Sequence, residues 1–232
     1  MQNPSNISSQ VSSSLDGYSI HLQKAGKRFN RDWIFRNFSY TFKTGQSYAI
    51  TGSNGSGKST LLQCIAASIQ LSEGTAEYSA GNWETENRKQ ETGNQFLETE
   101  NVYRHISVAA PYLEVIEEMT ATEFLQFHAS FKPLLTNITI PEILDILGLQ
   151  AAATKQIRFY SSGMKQRIKL AQAIFSNVPV LLLDEPCTNL DKNGYDLYHT
   201  LIEDYCSSKL VIVSSNDINE YDFCREKIVI TD

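Results

Sequence analysis

The feature that most constrains this chain is the glycine-rich segment 52–59, which reads GSNGSGKS. It matches the pattern G-x-x-x-x-G-K-[ST] and lies between an apolar β-like stretch at 48–50 and apolar residues at helical spacing from 61 onward. Glycines let the backbone curl, so that successive N–H groups and the helix N-terminus face an anion. The segment therefore predicts a phosphate-binding loop between a strand and a helix.

In this interpretation the residues of the loop bind the phosphates and the metal ion of a nucleotide. Lys58 reaches the β- and γ-phosphates of a nucleotide, and the Ser59 hydroxyl binds Mg²⁺. The residues predicted to contact the nucleotide are Gly52, Ser53, Asn54, Gly55, Ser56, Gly57, Lys58, Ser59 and Thr60. The alternative is a Gly/Ser turn ahead of an ordinary helix, but the flanking strand and helix patterns favour the phosphate loop.

A second motif supplies two adjacent carboxylates. Asp184 and Glu185 directly follow the apolar run at 180–183, and α/β sheets bind ligands at the carboxyl ends of their strands. Asp184 suits a Mg²⁺ site, and Glu185 suits a base that orients an attacking water. Two neighbouring carboxylates on a surface turn are the alternative interpretation.

The remaining pattern predicts an α/β chain with an antiparallel β-lobe at its start. Alternation of Phe38, Tyr40 and Phe42 with polar residues is typical of a half-buried strand. Thr120 and Glu123 form a predicted capping box at the start of a helix. The other expected elements are helices at about 162–175 and 195–205, a short helix that stops at Gly148, buried strands at 180–183 and 210–214, and an edge strand at 228–230.

Composition and charge exclude several classes of protein. The 232 residues carry a net charge of -6, which disfavours binding to nucleic acid or to an anionic membrane surface. The apolar runs are too short for a membrane-spanning helix, and the pattern of a secretory signal is missing. Residues 1–16 predict a disordered tail, and residues 82–101 a solvated loop or extended hairpin. Four scattered cysteines indicate reduced thiols and a cytoplasmic protein.

A third motif narrows the interpretation. Residues 160–167 (YSSGMKQR) are similar to the LSGGQ signature of ATP-binding cassette (ABC) proteins, with Ser161 and Gly163 retained. With the two motifs above, this makes the chain resemble the nucleotide-binding subunit of an ABC transporter from about 19 to 230. The resemblance implies an α/β fold of the P-loop NTPase type, with a RecA-like, mostly parallel core sheet, an N-terminal antiparallel β-subdomain and an α-helical subdomain. It implies one ABC ATPase domain at 17–232, divided into 17–110, a helical part at about 111–158, and 159–232.

The resemblance also implies ATP and Mg²⁺ as cofactors. In this family two cassettes pair head to tail, and each ATP lies between the phosphate loop of one and the signature of the other. Ser161 and Gly163 would then contact the ATP held by a second cassette, although a simple capped helix also explains this segment. Phe29 falls where an aromatic ring stacks on adenine, with Trp33 or a place in the lobe core as alternatives.

The sequence departs from the family pattern at two positions. The family usually has a Gln before the helical subdomain and a switch His after the last core strand. Ala110 and Asn216 occupy these positions here. Asn216 can donate a neutral hydrogen bond but cannot take up a proton, and we assign it a catalytic role beside Glu185. With the lysine, serine and both carboxylates present, we expect hydrolysis to survive at a reduced rate; a cassette that binds ATP and barely turns over is the contrary hypothesis.

Two functional interpretations follow from the resemblance. In the first, a homodimer hydrolyses ATP and powers a separate membrane permease, so that the chain lies at the cytoplasmic membrane through this partner. The groove residues expected to meet the permease are Tyr112, Leu113, Ile116, Glu117 and Met119, which could equally belong to the core of the helical lobe. In the second, a soluble ABC-type ATPase serves an assembly or regulatory complex. Nucleic acid is expected as a partner in neither.

Overall fold

The computed structural model describes residues 17–80 and 95–230. The strands are β1 (Ser19–Phe29), β2 (Asp32–Lys43), β3 (Ser47–Thr51), β4 (Glu73–Ala80), β5 (Gln95–Phe96), β6 (Ile106–Ala109), β7 (Val180–Asp184), β8 (Leu210–Ser214) and β9 (Glu226–Val229). The helices are α1 (Lys58–Ile65), α2 (Ala121–Ala129), α3 (Ile140–Ile146), α4 (Ser162–Ile174) and α5 (Lys192–Tyr205). The predicted tail at 1–16 lies outside the described residues.

Five of these strands form a parallel sheet in the order β6-β7-β8-β3-β9. Its central strands are buried from end to end, which explains their continuous apolar runs. The strands predicted at 180–183 and 210–214 are confirmed. The edge strand was predicted two residues late: β9 begins at Glu226, where its backbone pairs with β3 although the side chain is exposed.

A second sheet is antiparallel, in the order β2-β1-β4-β5, and confirms the predicted β-lobe. Phe42 is completely buried and its ring packs 5.0 Å from that of Tyr48 on β3. Phe38 and Tyr40 pack partly buried against the same core. These aromatic contacts connect the lobe to the parallel sheet. Of the predicted loop at 82–101, only residues 95–101 are described, and they contain β5 and the start of a 3-10 helix at Thr99–Arg104.

The helical part follows β6. The capping box predicted at Thr120 is present, with Glu123 accepting a hydrogen bond from the Thr120 backbone N–H at 2.8 Å. α3 stops before Gly148, whose φ of +66° is the left-handed conformation of a helix C-terminus. Phe124 of α2 is buried, whereas Phe127 and the following Phe131 are exposed.

α4 and α5 pack against the parallel sheet and complete its core. α4 matches the predicted helix, and Ile168, Ala171 and the following Phe175 are buried on its inner side. α5 begins three residues before its predicted start, because the Asp191 side chain accepts a hydrogen bond from the Gly194 N–H at 2.9 Å. In the described part of the chain, no helix is both long and apolar enough to cross a membrane.

Candidate nucleotide site

The loop at 52–59 connects β3 to α1 and needs glycine at two crowded positions. Gly52 has a φ of +154°, and a Cβ there would lie 2.4 Å from the carbonyl oxygen of Ile230. Gly57 has a φ of +92° directly before α1, and a Cβ there would lie 2.6 Å from Cγ2 of Ile34. Any side chain at either position would force the loop open, so these glycines fix its curled path.

Lys58 is folded back over this loop. Its Nζ donates hydrogen bonds to the carbonyl oxygens of Gly52 at 2.9 Å and Ser53 at 3.0 Å, and the residue is buried. Ser53, Asn54 and Gly55 form the exposed rim of the loop, Ser56 is buried beneath it, and Ser59 and Thr60 are half-buried on α1. A cation is thus held at the loop with the backbone exposed around it, an arrangement suited to a phosphate chain.

Asp184 lies at the same edge of the sheet as this loop. In the strand register Asp184 pairs with Ser214 of β8, and Ser214 pairs in turn with Ile50 of β3, two residues before the loop. Asp184 is 3% exposed, and within residues 17–80 and 95–230 its Oδ1 atom has no hydrogen-bond partner. A buried carboxylate oxygen without a partner is costly unless something else satisfies it, and a divalent cation would do so.

Glu185 follows Asp184 and is exposed in an unusual backbone conformation. Its φ is +43°, a left-handed value that is uncommon for a residue with a side chain. Its N–H donates to the Ser214 carbonyl at 2.9 Å, and its own carbonyl accepts from the hydroxyl of Thr188 at 2.9 Å. These bonds hold the backbone on both sides of the exposed Glu185 carboxylate.

Asn216 touches the phosphate loop directly. Its Oδ1 accepts from the Gly52 N–H at 3.3 Å, and its Nδ2 donates to Oδ1 of Asn54 at 3.0 Å. The residue follows β8 and is exposed. Asn216 and Gly52 are therefore neighbours, and a group bound in the loop would meet this amide.

Ala110 directly follows β6, whose last residue, Ala109, pairs with Leu183; Ala110 is completely buried and offers no polar group there. Tyr112, two residues later, is 45% exposed. Burial of its phenol and the charge of Asp184 raise its pKa to about 12, while a hydrogen bond with the Gln63 side chain opposes this rise. We predicted Tyr112 only as a groove residue, because spacing along the chain does not show proximity to Asp184.

The signature segment begins α4, as expected. Ser161 is exposed and caps the helix, accepting from the Met164 N–H at 3.3 Å. The helix is tied to the turn after Glu185: Nε2 of Gln166 donates to the Pro186 carbonyl at 2.6 Å, and a Cβ on Gly163 would lie 3.2 Å from the Asn189 carbonyl. Among the described residues, neither Ser161 nor Gly163 hydrogen bonds the phosphate loop of the same chain.

Phe29 ends β1 at the tip of the first hairpin, outside the lobe core. Its side chain is 48% exposed, with the Lys27 ammonium 5.0 Å from the ring centre. Trp33, the alternative, is 37% exposed and has the Arg36 guanidinium 4.4 Å from its ring centre. Each of these partly exposed rings thus has a cation near it, and Phe29 is the more exposed of the two.

A parallel sheet with a lysine-bearing glycine loop after one strand and paired carboxylates after another defines a P-loop nucleotide-binding protein. A family model described as ABC transporter matches residues 35–188, so the chain belongs to the ABC transporter family. Within this family the chain is an ATP-binding subunit that binds and hydrolyses ATP to power transport. The alternative of a soluble ATPase in an assembly or regulatory complex is not favoured.

Similar proteins agree with this placement. The chain is 27% identical to YybJ of Bacillus subtilis, an uncharacterized ABC transporter ATP-binding protein, over 85% of each chain. It is 26% identical to CcmA of Agrobacterium fabrum, a cytochrome c biogenesis ATP-binding export protein, covering 84% of this chain and 87% of CcmA. The dimeric ABC transporter cassette MJ0796 has the same fold, with a TM-score of 0.72, 23% identity, and coverage of 91% of this chain and 94% of that one.

Proposed function

We propose that ATP binds with its phosphates in the loop at 52–59 and that water attacks the γ-phosphate between Glu185 and Asn216. The observation that carries this proposal is that Asp184, Asn216 and the loop share one edge of the sheet. Lys58 would exchange its two carbonyl partners for phosphate oxygens, which bind an ammonium more strongly because both groups are charged.

The reaction needs one base and a stabilised leaving group. Glu185 takes a proton from water as the water oxygen bonds to the γ-phosphorus, and the bond from this phosphorus to the bridging oxygen breaks to give ADP and phosphate. The side-chain amide of Asn216 donates a hydrogen bond to the γ-phosphate, where charge develops. The fixed backbone of Glu185 keeps its carboxylate in place without requiring a partner side chain.

A divalent cation fits the donor set beside the loop. The partnerless Oδ1 of Asp184 and the hydroxyl of Ser59 would hold Mg²⁺, directly or through water. Bound there, the ion would neutralise charge on the β- and γ-phosphate oxygens. Ala110 adds no ligand, so Asp184 carries more of the binding than where a Gln is also present.

The exposed signature segment is proposed to close the site of a second copy of this chain. Ser161 and Gly163 lie at the N-terminus of the 13-residue helix α4, where backbone N–H groups and the helix dipole favour an anion.

Phe29 would stack on the adenine of the ATP held in its own loop. ATP joins the two copies into a closed dimer. The closing movement drives a separate permease, and binding to this permease brings the chain to the membrane. The exposed Tyr112 and Ile116 are proposed to contact the permease.

ATP turnover is expected to require Mg²⁺ and to need more of it when Asp184 is replaced. EDTA should abolish phosphate release, and Asp184→Asn should shift the Mg²⁺ concentration for half-maximal release upward by about tenfold or more, because a neutral amide binds a hard cation less strongly. Phosphate release is measured across a Mg²⁺ titration at saturating ATP. Asp196→Asn, an exposed change on α5, is the matched control. Turnover that survives EDTA, or an unshifted titration, would contradict the proposed metal site.

Asn216→Ala is expected to slow turnover by about tenfold or more, since loss of one hydrogen bond to developing charge costs on this order. ATP affinity should change much less, because the loop and Lys58 remain. Asn137→Ala, the same change at an exposed position of the helical part, is the control. Steady-state phosphate release and equilibrium ATP binding separate the two effects; an unchanged rate would remove Asn216 from the catalytic residues.

A further inference from the structure

Glu220 is a buried carboxylate near the site that the roles above do not use. It is 4% exposed, and its Oε1 accepts a hydrogen bond from the backbone N–H of Cys187 at 2.7 Å. The hydroxyl of Ser215 lies near the same carboxylate and favours its charged form, and its oxygen accepts a hydrogen bond from the Asp217 N–H at 2.9 Å. Among the ion pairs of the described residues, none includes Glu220.

Burial of a carboxylate without a cation is unfavourable unless its hydrogen bonds compensate. Burial raises the pKa of Glu220, and the nearby charges of Asp217 and Glu185 add to this rise, while the Ser215 hydroxyl and the bond from Cys187 oppose it. An apolar residue would fill this space at lower cost. The presence of a carboxylate here is therefore best explained by its interactions with Cys187 and Ser215, which connect two segments of the chain.

These two residues belong to the two segments that carry the proposed catalytic groups. Cys187 lies two residues after Glu185, and Ser215 directly precedes Asn216. On the other side, Asn216 reaches Gly52 of the phosphate loop at 3.3 Å. A continuous series of contacts thus runs from the phosphate loop through Asn216 and Glu220 to the turn that presents Glu185.

α5 holds the same segment in place through two tyrosines. The hydroxyl of Tyr198, completely buried, donates to the Glu220 carbonyl at 2.8 Å. The hydroxyl of Tyr195 donates to Asp217 at 2.9 Å, and Asp217 also accepts from the Asn219 N–H at 3.0 Å. The segment 215–220 is therefore fixed at its start and its end, and Glu220 has little freedom to release Cys187.

We propose that Glu220 is a positioning residue that holds the turn after Glu185 at a fixed distance from Asn216, so that both catalytic groups face one γ-phosphate. This inference rests on the proposed function, since it assigns the attacking water to these two groups. The hydrogen bond from Cys187 to Glu220 also connects Asn216, which would contact ATP, to the turn that contains Asn189. The carbonyl of Asn189 lies against the start of the signature helix.

The test compares chemistry with binding. Glu220→Ala is expected to lower kcat about 10- to 100-fold, as small misplacements of catalytic groups do, while the Kd for Mg·ATP stays nearly unchanged. Glu220→Gln should recover most of the rate, because its amide oxygen still accepts from Cys187. Glu203→Ala, the same change at an exposed position of α5, is the matched control and should behave as the unchanged chain.

Hydrogen exchange gives a readout that does not depend on turnover. Amide exchange at 185–190 should accelerate in Glu220→Ala and not in Glu203→Ala. Ser215→Ala removes the hydroxyl near this carboxylate, together with the acceptor of the Asp217 N–H, and carries the same expectations if Glu220→Ala does not fold. Unchanged kcat and exchange, or a parallel loss of kcat and ATP binding, would overturn the inference. If the unchanged chain itself lacks turnover, the proposed function fails, and accelerated exchange at 185–190 would still support the connection from Cys187 to Glu220.

Discussion

A chain with Glu185 replaced by Gln is expected to release phosphate about 10²-fold or more slowly than the unchanged chain, while still binding Mg·ATP. Gln has the same size and keeps the backbone bonds to Ser214 and Thr188, so the turn remains in place. It cannot accept a proton from water, and only this step is lost. Steady-state phosphate release and equilibrium ATP binding are the two measurements.

The same variant should accumulate as an ATP-bound dimer, because ATP that joins two copies is no longer cleaved. Sedimentation with and without Mg·ATP would show this shift. Glu203→Gln, the identical change at an exposed position of α5, should affect neither rate nor assembly. Equal background rates of phosphate release for the unchanged chain and Glu185→Gln would mean that Glu185 is not the base. The chain would then bind ATP without hydrolysing it at a significant rate.

The parts of the site that could be predicted from sequence are those set by local chemistry. The loop at 52–59 needs glycine where a Cβ would strike the Ile230 backbone or the Ile34 side chain, and a helix start needs a capping side chain, so both leave a spaced pattern of residue types. Buried parallel strands likewise appear as apolar runs ending in functional residues, as at Asp184. These features gave the fold and most of the candidate residues.

The parts that were missed depend on contacts between distant positions. Asn216 and Asn54 are 162 residues apart, and Glu220 and Cys187 are 33 apart, so spacing along the chain contains no sign of either bond. Asn216 itself was predicted only through the family resemblance. No sequence signal marked Glu220, because a single glutamate among many charged residues is expected at a solvated surface position. In the structure, packing against α5 buries it.

The two departures from the family pattern act differently in this structure. Ala110 is buried and offers no polar group near Asp184. Asn216 keeps contact with the phosphate loop through both atoms of its amide. The first change removes a possible metal ligand, while the second keeps a donor and removes a proton site. A reduced but real rate of hydrolysis is the expected combined result.

The pairing of two copies leads to a mixing experiment with a large expected effect. Lys58→Ala should abolish turnover by removing the buried cation of the loop. Ser161→Asp should abolish it too, because a carboxylate there repels the phosphates of the partner's ATP while still capping α4. Ser161→Asn, a neutral cap, is the control and should retain much of the activity.

Equal mixing of these two inactive variants should restore activity. In a mixed dimer one site contains both defects, and the other combines an intact phosphate loop from one chain with an intact signature from the other. Random pairing makes about half of the dimers mixed with one working site each, so about a quarter of the unchanged rate is expected if sites act independently. A mixture as inactive as its components would reject a shared site between two copies of this chain, whereas activity of Ser161→Asp alone would show that the signature does not contact ATP.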